Sequence, residues 1–358
     1  MSKRLVDLFS DLVRIDSESG EEQEFLQYLA GILKETIRAD CSFDSYGNLI
    51  AHVPQKGDVA SAPLLFACHA DTVKPGRGIE PIVEDGVIRS KGETILGADD
   101  KAGIAQFIEA VRTATRHPAL EFVVTREEEI GLVGARHLNT SMLGAKEGFV
   151  LDMDSLDAVV VGGPSHMLID VEVSGRAAHA AMDPEKGVSA ILAAANAISR
   201  MKLGRLDPET TANVGIISGG QIRNGIPDKA SVKAECRSLD HDKCLAVGEA
   251  MRKAFVEAAE ELGAKADVKL EMAYRASSLD EGARVVSLAK EALKAAGLKP
   301  NVHTICGGTD ASIFNAAGIE TVIIGTGVQA EHSTDEHILE SDMDKAVGVI
   351  RWILERGE

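Results

Sequence analysis

Apolar positions spaced three and four residues apart open the chain. Leu5, Leu8, Phe9, Leu12 and Val13 predict a helix over residues 3–15. A second helix is marked by Phe25, Leu26, Leu29 and Leu33, and the Ser19-Gly20-Glu21-Glu22 ahead of it resembles a capping box. After the turn signal Tyr46-Gly47-Asn48 the pattern becomes that of strands, over residues 48–53 and in the apolar rise from Leu64 to His69. Ile104, Phe107, Ile108 and Val111 mark one face of a helix after Asp99-Asp100, and strands follow over residues 120–125 and 148–154. Strands alternating with helices, with polar residues at the strands' C-terminal ends, predict a doubly wound α/β sheet with a site along that edge.

Near residue 167 the pattern changes. Leu168, Asp170 and Glu172 alternate with Ile169, Val171 and Val173, as in a half-exposed antiparallel strand. A helix over 187–201, strands over 212–218 and 229–238, a helix over 243–262 and a strand over 266–274 complete a small α+β domain. The α/β pattern then resumes, with helices over 280–296 and after Asp310, a strand over 321–325 and a closing helix over 342–355. The expectation is an α/β domain built from residues 1–166 and 276–358, with an α+β domain, 167–275, inserted into it. A length of 358 residues agrees with two hydrophobic cores.

Charge and cysteine usage narrow the picture. A formal net charge of −18 disfavours nucleic acid and anionic membrane as partners. The five cysteines (Cys41, Cys68, Cys236, Cys244 and Cys306) form no C-x-x-C pair, so neither a thiolate zinc knuckle nor a disulfide framework is expected. The opening Met1-Ser2-Lys3-Arg4 has no apolar stretch behind it, and no run approaches the roughly 18–20 apolar residues of a membrane span. A cytoplasmic protein is the expectation. Gly-x-Gly-x-x-Gly and Walker loops are absent, which argues against dinucleotides and ATP.

The candidate chemistry lies at strand and loop ends: His69 and Asp71, Asp99 and Asp100, Glu127-Glu128-Glu129, Asp152 and Asp154, and His332. His69 and Asp71 are two residues apart on an extended chain and share a face, which suits an imidazole ligand with a carboxylate fixing its tautomer. Together these residues offer nitrogen and oxygen donors without sulfur, suited to zinc, cobalt or manganese. Singly each has a plainer reading. Asp-Asp before a helix is commonly an N-cap, and a glutamate triplet a solvated loop.

Ala67-Cys68-His69-Ala70-Asp71-Thr72-Val73, Gly97-Ala98-Asp99-Asp100-Lys101-Ala102-Gly103, Glu127-Glu128-Glu129-Ile130-Gly131, Asp152 and Glu331-His332 together resemble the M20 family of dinuclear zinc metallopeptidases, most closely its peptidase T (tripeptide aminopeptidase)-like branch. The resemblance covers essentially the whole chain, and Asp100 stands where acylase and desuccinylase relatives more often carry Met. It implies a mixed-sheet catalytic domain with an inserted lid and dimerisation domain. Asp99 would bridge two divalent ions, His69 and Asp152 complete one site, and Glu129 and His332 the other. Asp71 would stand behind His69, and the Asp99–Asp100 bond would be cis. Glu128 would be the general base for water attack on an amide. Neighbours on an extended segment point opposite ways, so Glu128 and Glu129 take different roles, although a one-residue slip would give Glu127 the base's place.

The inserted domain carries further resemblances. Gly175-Arg176-Ala177-Ala178-His179-Ala180 is similar to a family loop whose histidine reaches a partner subunit's site, implying a homodimer, although Ala180 replaces a common Gly. Asn224, in Asn224-Gly225-Ile226-Pro227, matches a substrate loop. Arg237 is either a two-pronged clamp for a substrate carboxylate or half of a surface ion pair. Gly307-Gly308-Thr309-Asp310 is similar to a pocket-lining loop, while Thr309 and Asp310 equally suit a helix cap. The expected activity is removal of N-terminal residues from short peptides. An N-acyl amino acid amidohydrolase or carboxypeptidase with the same centre is the alternative, and a metal-binding protein without catalysis a third.

Overall fold

The structure, a computed structural model, describes residues 3–59 and 61–357; Met1 and Ser2 of the opening segment lie outside them. Two compact units are present: residues up to Gly162 together with those from Ser278 onward, and Gly163–Ser277.

The first unit is built on a mixed sheet in the strand order Asp40–Phe43, Leu49–Val53, Leu120–Thr125, Leu64–His69, Glu147–Met153, Glu320–Gly325 and Ala158–Gly163. Its four middle strands, from Leu120–Thr125 to Glu320–Gly325, are parallel to one another. Leu49–Val53 and Ala158–Gly163 pair with them antiparallel, so the sheet is mixed and not uniformly parallel. Alternation along the buried strand Leu64–His69 feeds two cores. Leu64, Phe66 and Cys68 join the cluster covered by the helices Lys3–Val13, Gln23–Ile37, Ala98–Thr113, Arg284–Ala295 and Glu340–Arg356. Leu65 and Ala67 join a smaller one that includes Phe314 of the helix Ala311–Ala316. Phe66 anchors the larger core against Phe107 and Phe149, with ring centroids 5.2 and 5.3 Å away. Burying such a side chain contributes roughly 1.5–3 kcal/mol.

The expected capping box before the second helix does not form. Glu22 is the cap residue, without a side-chain cap bond, because Ser19 is held elsewhere. Ser19 N–H donates to Thr72 O at 3.3 Å and Thr72 N–H to Ser17 O at 2.9 Å, which draws the segment 17–19 alongside Asp71 and Thr72.

The second unit is a five-stranded antiparallel sheet in the order Gly204–Asp207, Thr210–Gly219, Lys229–Ser238, Ser165–Ser174 and Lys265–Tyr274. Ile169, Val171 and Val173 face a core shared with the helices Ala190–Arg200 and His241–Glu261, while Asp170 and Glu172 are exposed. No helix among the described residues is long and apolar enough to cross a membrane.

Candidate metal centre and active site

The parallel strands gather their C-terminal ends on one edge of the sheet. His69 ends Leu64–His69, Thr125 ends Leu120–Thr125, and Asp152 lies one residue before the end of Glu147–Met153. Asp99 and Asp100 enter from the start of Ala98–Thr113, where both depart from helical φ/ψ and the bond between them is cis. His332 comes from a loop in which it and Ala330 take left-handed backbone, with φ of 58° and 53°.

All five candidate ligands converge. His69 Nε2 lies 3.2 Å from Asp99 Oδ1 and 3.7 Å from Asp152 Oδ1. His332 Nε2 lies 3.2 Å from the other oxygen, Asp99 Oδ2, and 2.9 Å from Glu129 Oε1. Asp99 thus turns one oxygen to each histidine. Ligand atoms of His69, Asp99 and Glu129 lie within 4.8 Å of one another, as do those of His69, Asp100 and Asp152.

Electrostatics reflect this crowding. Burial favours the neutral carboxyl of Asp99, yet the hydrogen bonds of His332 and His69 hold it below the usual carboxylate range. Burial pushes Asp152 up to about 7, opposed by His69. Glu128 is pushed well above the ordinary value by burial and then by the charge of Asp152. Hydrogen bonds to Asp99 and Glu129 raise His332 to about 10. Acids held this close are relieved by cations, and a donor set of two imidazoles and three carboxylates, one presenting both oxygens, fits a pair of borderline divalent ions.

Asp71 stands against His69 on the side of the ring away from the other ligands. His69 Nδ1 pairs at 2.9 Å with the backbone carbonyl of Asp71, and lies 3.5 Å from its carboxylate. With Nδ1–H donated to that carbonyl, Nε2 is left as the ligand nitrogen. The fully buried carboxylate also holds the loop after Leu120–Thr125. Oδ1 accepts from Glu128 N–H at 2.9 Å, and Oδ2 from Glu129 N–H at 3.2 Å and from Ser19 Oγ at 2.7 Å. The glutamate segment is therefore a turn rather than an extended strand, entered through Glu127 at φ 52°. Glu127 is taken up away from the ligands: its Oε2 accepts from Tyr46 O–H at 2.5 Å. The slip that would make Glu127 the base finds no support in this arrangement.

Ser19 and Glu336 near the centre are not assigned to it by the sequence, and Asp100 and Asp310 are placed there by the sequence without these contacts. Ser19 bonds to Asp71, as above. Asp100 Oδ2 accepts the backbone N–H of His69 at 3.3 Å. Asp310 occupies the cap position of Ala311–Ala316 without a cap bond; it accepts from Thr125 Oγ1 at 2.5 Å, and burial pushes it up to about 7. Glu336 is buried and accepts the N–H groups of Leu96, Gly97, Ala98 and Asp99. Its spacing of four from His332 was the one signal available.

In the second unit, His179 and Asn224 sit together. Ala178–His179 pairs antiparallel with Gly225–Ile226, and Ala180 N–H donates to Asn224 O at 3.0 Å, so alanine at 180 is accommodated without left-handed backbone. His179 Nδ1 accepts from the N–H groups of Ala181 and Met182 at 3.2 and 3.1 Å. Its Nε2 consequently carries the proton and is an outward donor on an exposed side chain. Arg237 lies outside this ribbon, on Lys229–Ser238, where Nη2 donates to Glu235 at 3.1 Å and His166 Nε2 meets the same oxygen at 2.6 Å.

Two family models match the chain: the peptidase dimerisation domain over residues 164–263 and peptidase family M28 over residues 48–182. An uncharacterised protein of Bacillus subtilis, YqjE, is 38% identical over 99% of this chain and 98% of its own. The crystal structure of aminopeptidase PepT from Bacillus cereus is 39% identical and superposes with a TM-score of 0.86, covering 99% of this chain and 98% of that one. A tripeptidase structure from Staphylococcus aureus is 36% identical with a TM-score of 0.90, covering 99% and 97%. These likenesses run end to end, through both units and over a centre of imidazole and carboxylate donors, and the chain accordingly belongs to the M20 family of metallopeptidases, in its peptidase T-like branch.

Proposed function

We propose that the chain removes the N-terminal residue from short peptides with a free amino end. The observation that carries this reading is the split of Asp99 between His69 and His332, with Asp152 beside the first histidine, Glu129 beside the second, and Glu128 left outside that ligand set. His69 and Asp152 would hold one ion and Glu129 and His332 the other, with Asp99 shared between them. Zinc is the ion the donors fit best, with cobalt or manganese as alternatives. Bound there, such ions would supply Lewis acidity toward the scissile carbonyl and lower the pKa of water.

Glu128 handles the proton. Its backbone is fixed through N–H to Asp71, and burial followed by the charge of Asp152 raises the carboxylate's affinity for a proton. A carboxylate shifted in that direction accepts a proton from attacking water and returns it to the nitrogen of the leaving amine. His179 Nε2–H, in a homodimer formed through the Gly163–Ser277 unit, donates to the oxyanion in the partner's site. Asn224 orients the peptide backbone, and Arg237 takes a substrate carboxylate in exchange for Glu235. The aminopeptidase and tripeptidase matches over 99% of the chain support peptides over N-acyl amino acids as substrate class.

Incubating metal-loaded protein with an unblocked tripeptide and its N-acetylated twin, with product masses as readout, tests the reading. Release of the N-terminal residue from the free peptide alone is expected, with loss of turnover after chelation. Cleavage of the blocked twin at a comparable rate would replace it with the amidohydrolase or carboxypeptidase alternative.

A further inference from the structure

We propose that Glu336 is a positioning residue for the metal centre, whose carboxylate sets the placement of Asp99 relative to His332. The inference rests on the ligand assignment above. Glu336 is only 2% exposed. Its Oε2 accepts from the N–H groups of Leu96 and Gly97, both at 2.8 Å, and its Oε1 from those of Ala98 and Asp99, at 2.8 and 3.0 Å. Four donors from four successive residues fill the lone-pair positions of one carboxylate.

The need for it lies in the backbone it holds. Ala98–Thr113 begins with Asp99 at φ −83°, ψ 104° and Asp100 at φ −117°, ψ 27°, neither of them helical. Helical hydrogen bonds therefore do not define where the Asp99 backbone sits, and the N–H of Asp99 is fixed by Glu336 instead. The other end of the link is the His332 loop. Glu336 follows His332 by four residues, its own N–H donates to Ser333 O at 3.2 Å, and the next residues, His337–Leu339, pair with Val87–Ser90. One side chain thus ties two segments 237 residues apart in sequence, each carrying a ligand.

The consequence is unequal for the two ions. His69 and Asp152 stand on neighbouring strands of the sheet, and His69 is held independently by the carbonyl of Asp71. Glu129 and His332 stand on loops, and His332 meets Asp99 Oδ2 only while the two segments keep their spacing. In Glu336→Gln one acceptor oxygen becomes an NH2 donor. Whichever way the amide turns, two backbone N–H groups then face a donor. Loosening such a supporting contact weakens metal binding ~10–100-fold in general, and here the loss falls on the ion at Glu129 and His332.

The test uses the full-length protein, stripped with a chelator and titrated with zinc by calorimetry and with cobalt by visible absorption, alongside Glu336→Gln and Glu336→Asp. The wild type is expected to take two ions. Glu336→Gln should keep one affinity within about threefold and lose ~10–100-fold on the other, with a changed cobalt spectrum. Glu336→Asp keeps the charge and both acceptors and should recover part of the loss. A folded Glu336→Gln whose two affinities and cobalt spectrum match the wild type overturns the proposal. If the glutamine variant does not fold, the aspartate variant decides by the same criterion, and failure of both to fold assigns Glu336 to folding alone and overturns it too. A wild type that takes fewer than two ions instead defeats the ligand assignment on which the inference rests.

Discussion

Replacing Glu128 by glutamine removes a proton acceptor while leaving every candidate ligand in place. The carboxamide is nearly the same size, and the N–H that anchors residue 128 to Asp71 belongs to the backbone, so the turn keeps its support. Because burial and the charge of Asp152 already disfavour a carboxylate at this position, the variant should unfold no more easily than the wild type. Loss of a general base lowers kcat by ~10²–10⁴-fold, or roughly 3–5 kcal/mol of barrier. The neighbouring substitution Glu127→Gln should behave in the opposite way. Glu127 accepts from Tyr46 O–H, and Tyr46 stacks on His137 with ring centroids 4.5 Å apart. Turning that charge-assisted bond into a neutral one costs about 1 kcal/mol of stability and leaves kcat within a few-fold. Turnover of an unblocked tripeptide, metal content and thermal unfolding would be measured on the same preparations of both variants. A Glu128→Gln protein that binds two ions and keeps more than a tenth of wild-type kcat would refute the assignment. A larger kinetic loss in Glu127→Gln would move the base by one residue.

Two further outcomes are expected from the Gly163–Ser277 unit. His179→Ala should lower kcat ~100-fold with metal content unchanged. Mixing it with Glu128→Gln should restore up to about a quarter of wild-type activity, because half the dimers are mixed and each mixed dimer carries one complete site; no recovery after subunit exchange would count against a histidine shared between subunits. Glu235 is held down to about 2, chiefly by its hydrogen bond with His166, against burial and with help from Arg237. A carboxylate depressed on folding adds stability that is full above its unfolded pKa and is lost as pH falls through the folded one. Glu235→Gln should therefore lower the unfolding temperature at pH 6–7, and the gap should close between about pH 4.5 and pH 2. A gap that stays constant over that window would show that the pair is not the origin of the effect.

The hydrophobic pattern carries much of the fold because each element has its own period. Asp170 and Glu172 alternating with Val171 and Val173 mark the antiparallel sheet of the inserted unit, and the apolar run to His69 marks a strand buried on both faces. Direction is not written in such a run. A buried strand reads the same whether its neighbour is parallel or antiparallel, which is why Leu49–Val53 and Ala158–Gly163 do not disclose that the sheet is mixed. The ligand positions were legible for a related reason: His69 and Asp152 lie at or next to the C-terminal ends of apolar strands, and a parallel sheet brings such ends to one edge.

The contacts by which Asp71 and Glu336 support those ligands escape sequence reasoning because the partners are backbone. An ion pair leaves two complementary residue types in a sequence, but the carboxylate of Asp71 is met by the N–H groups of Glu128 and Glu129, and that of Glu336 by those of Leu96 to Asp99. Any residue except proline supplies such a donor, so nothing in the identities of Leu96, Gly97 or Ala98 points across the chain to Glu336. Ser19 fails for the complementary reason. Its hydroxyl suits a helix cap as well as a carboxylate, and the nearer use is the one a local pattern suggests. What decides between them is the pairing of residues 17–19 with Thr72, a contact made only once the sheet has formed. Among 56 acidic residues, Asp71 is marked by the motif it shares with His69, whereas Glu336 is distinguished by its position in the fold and not by any motif around it.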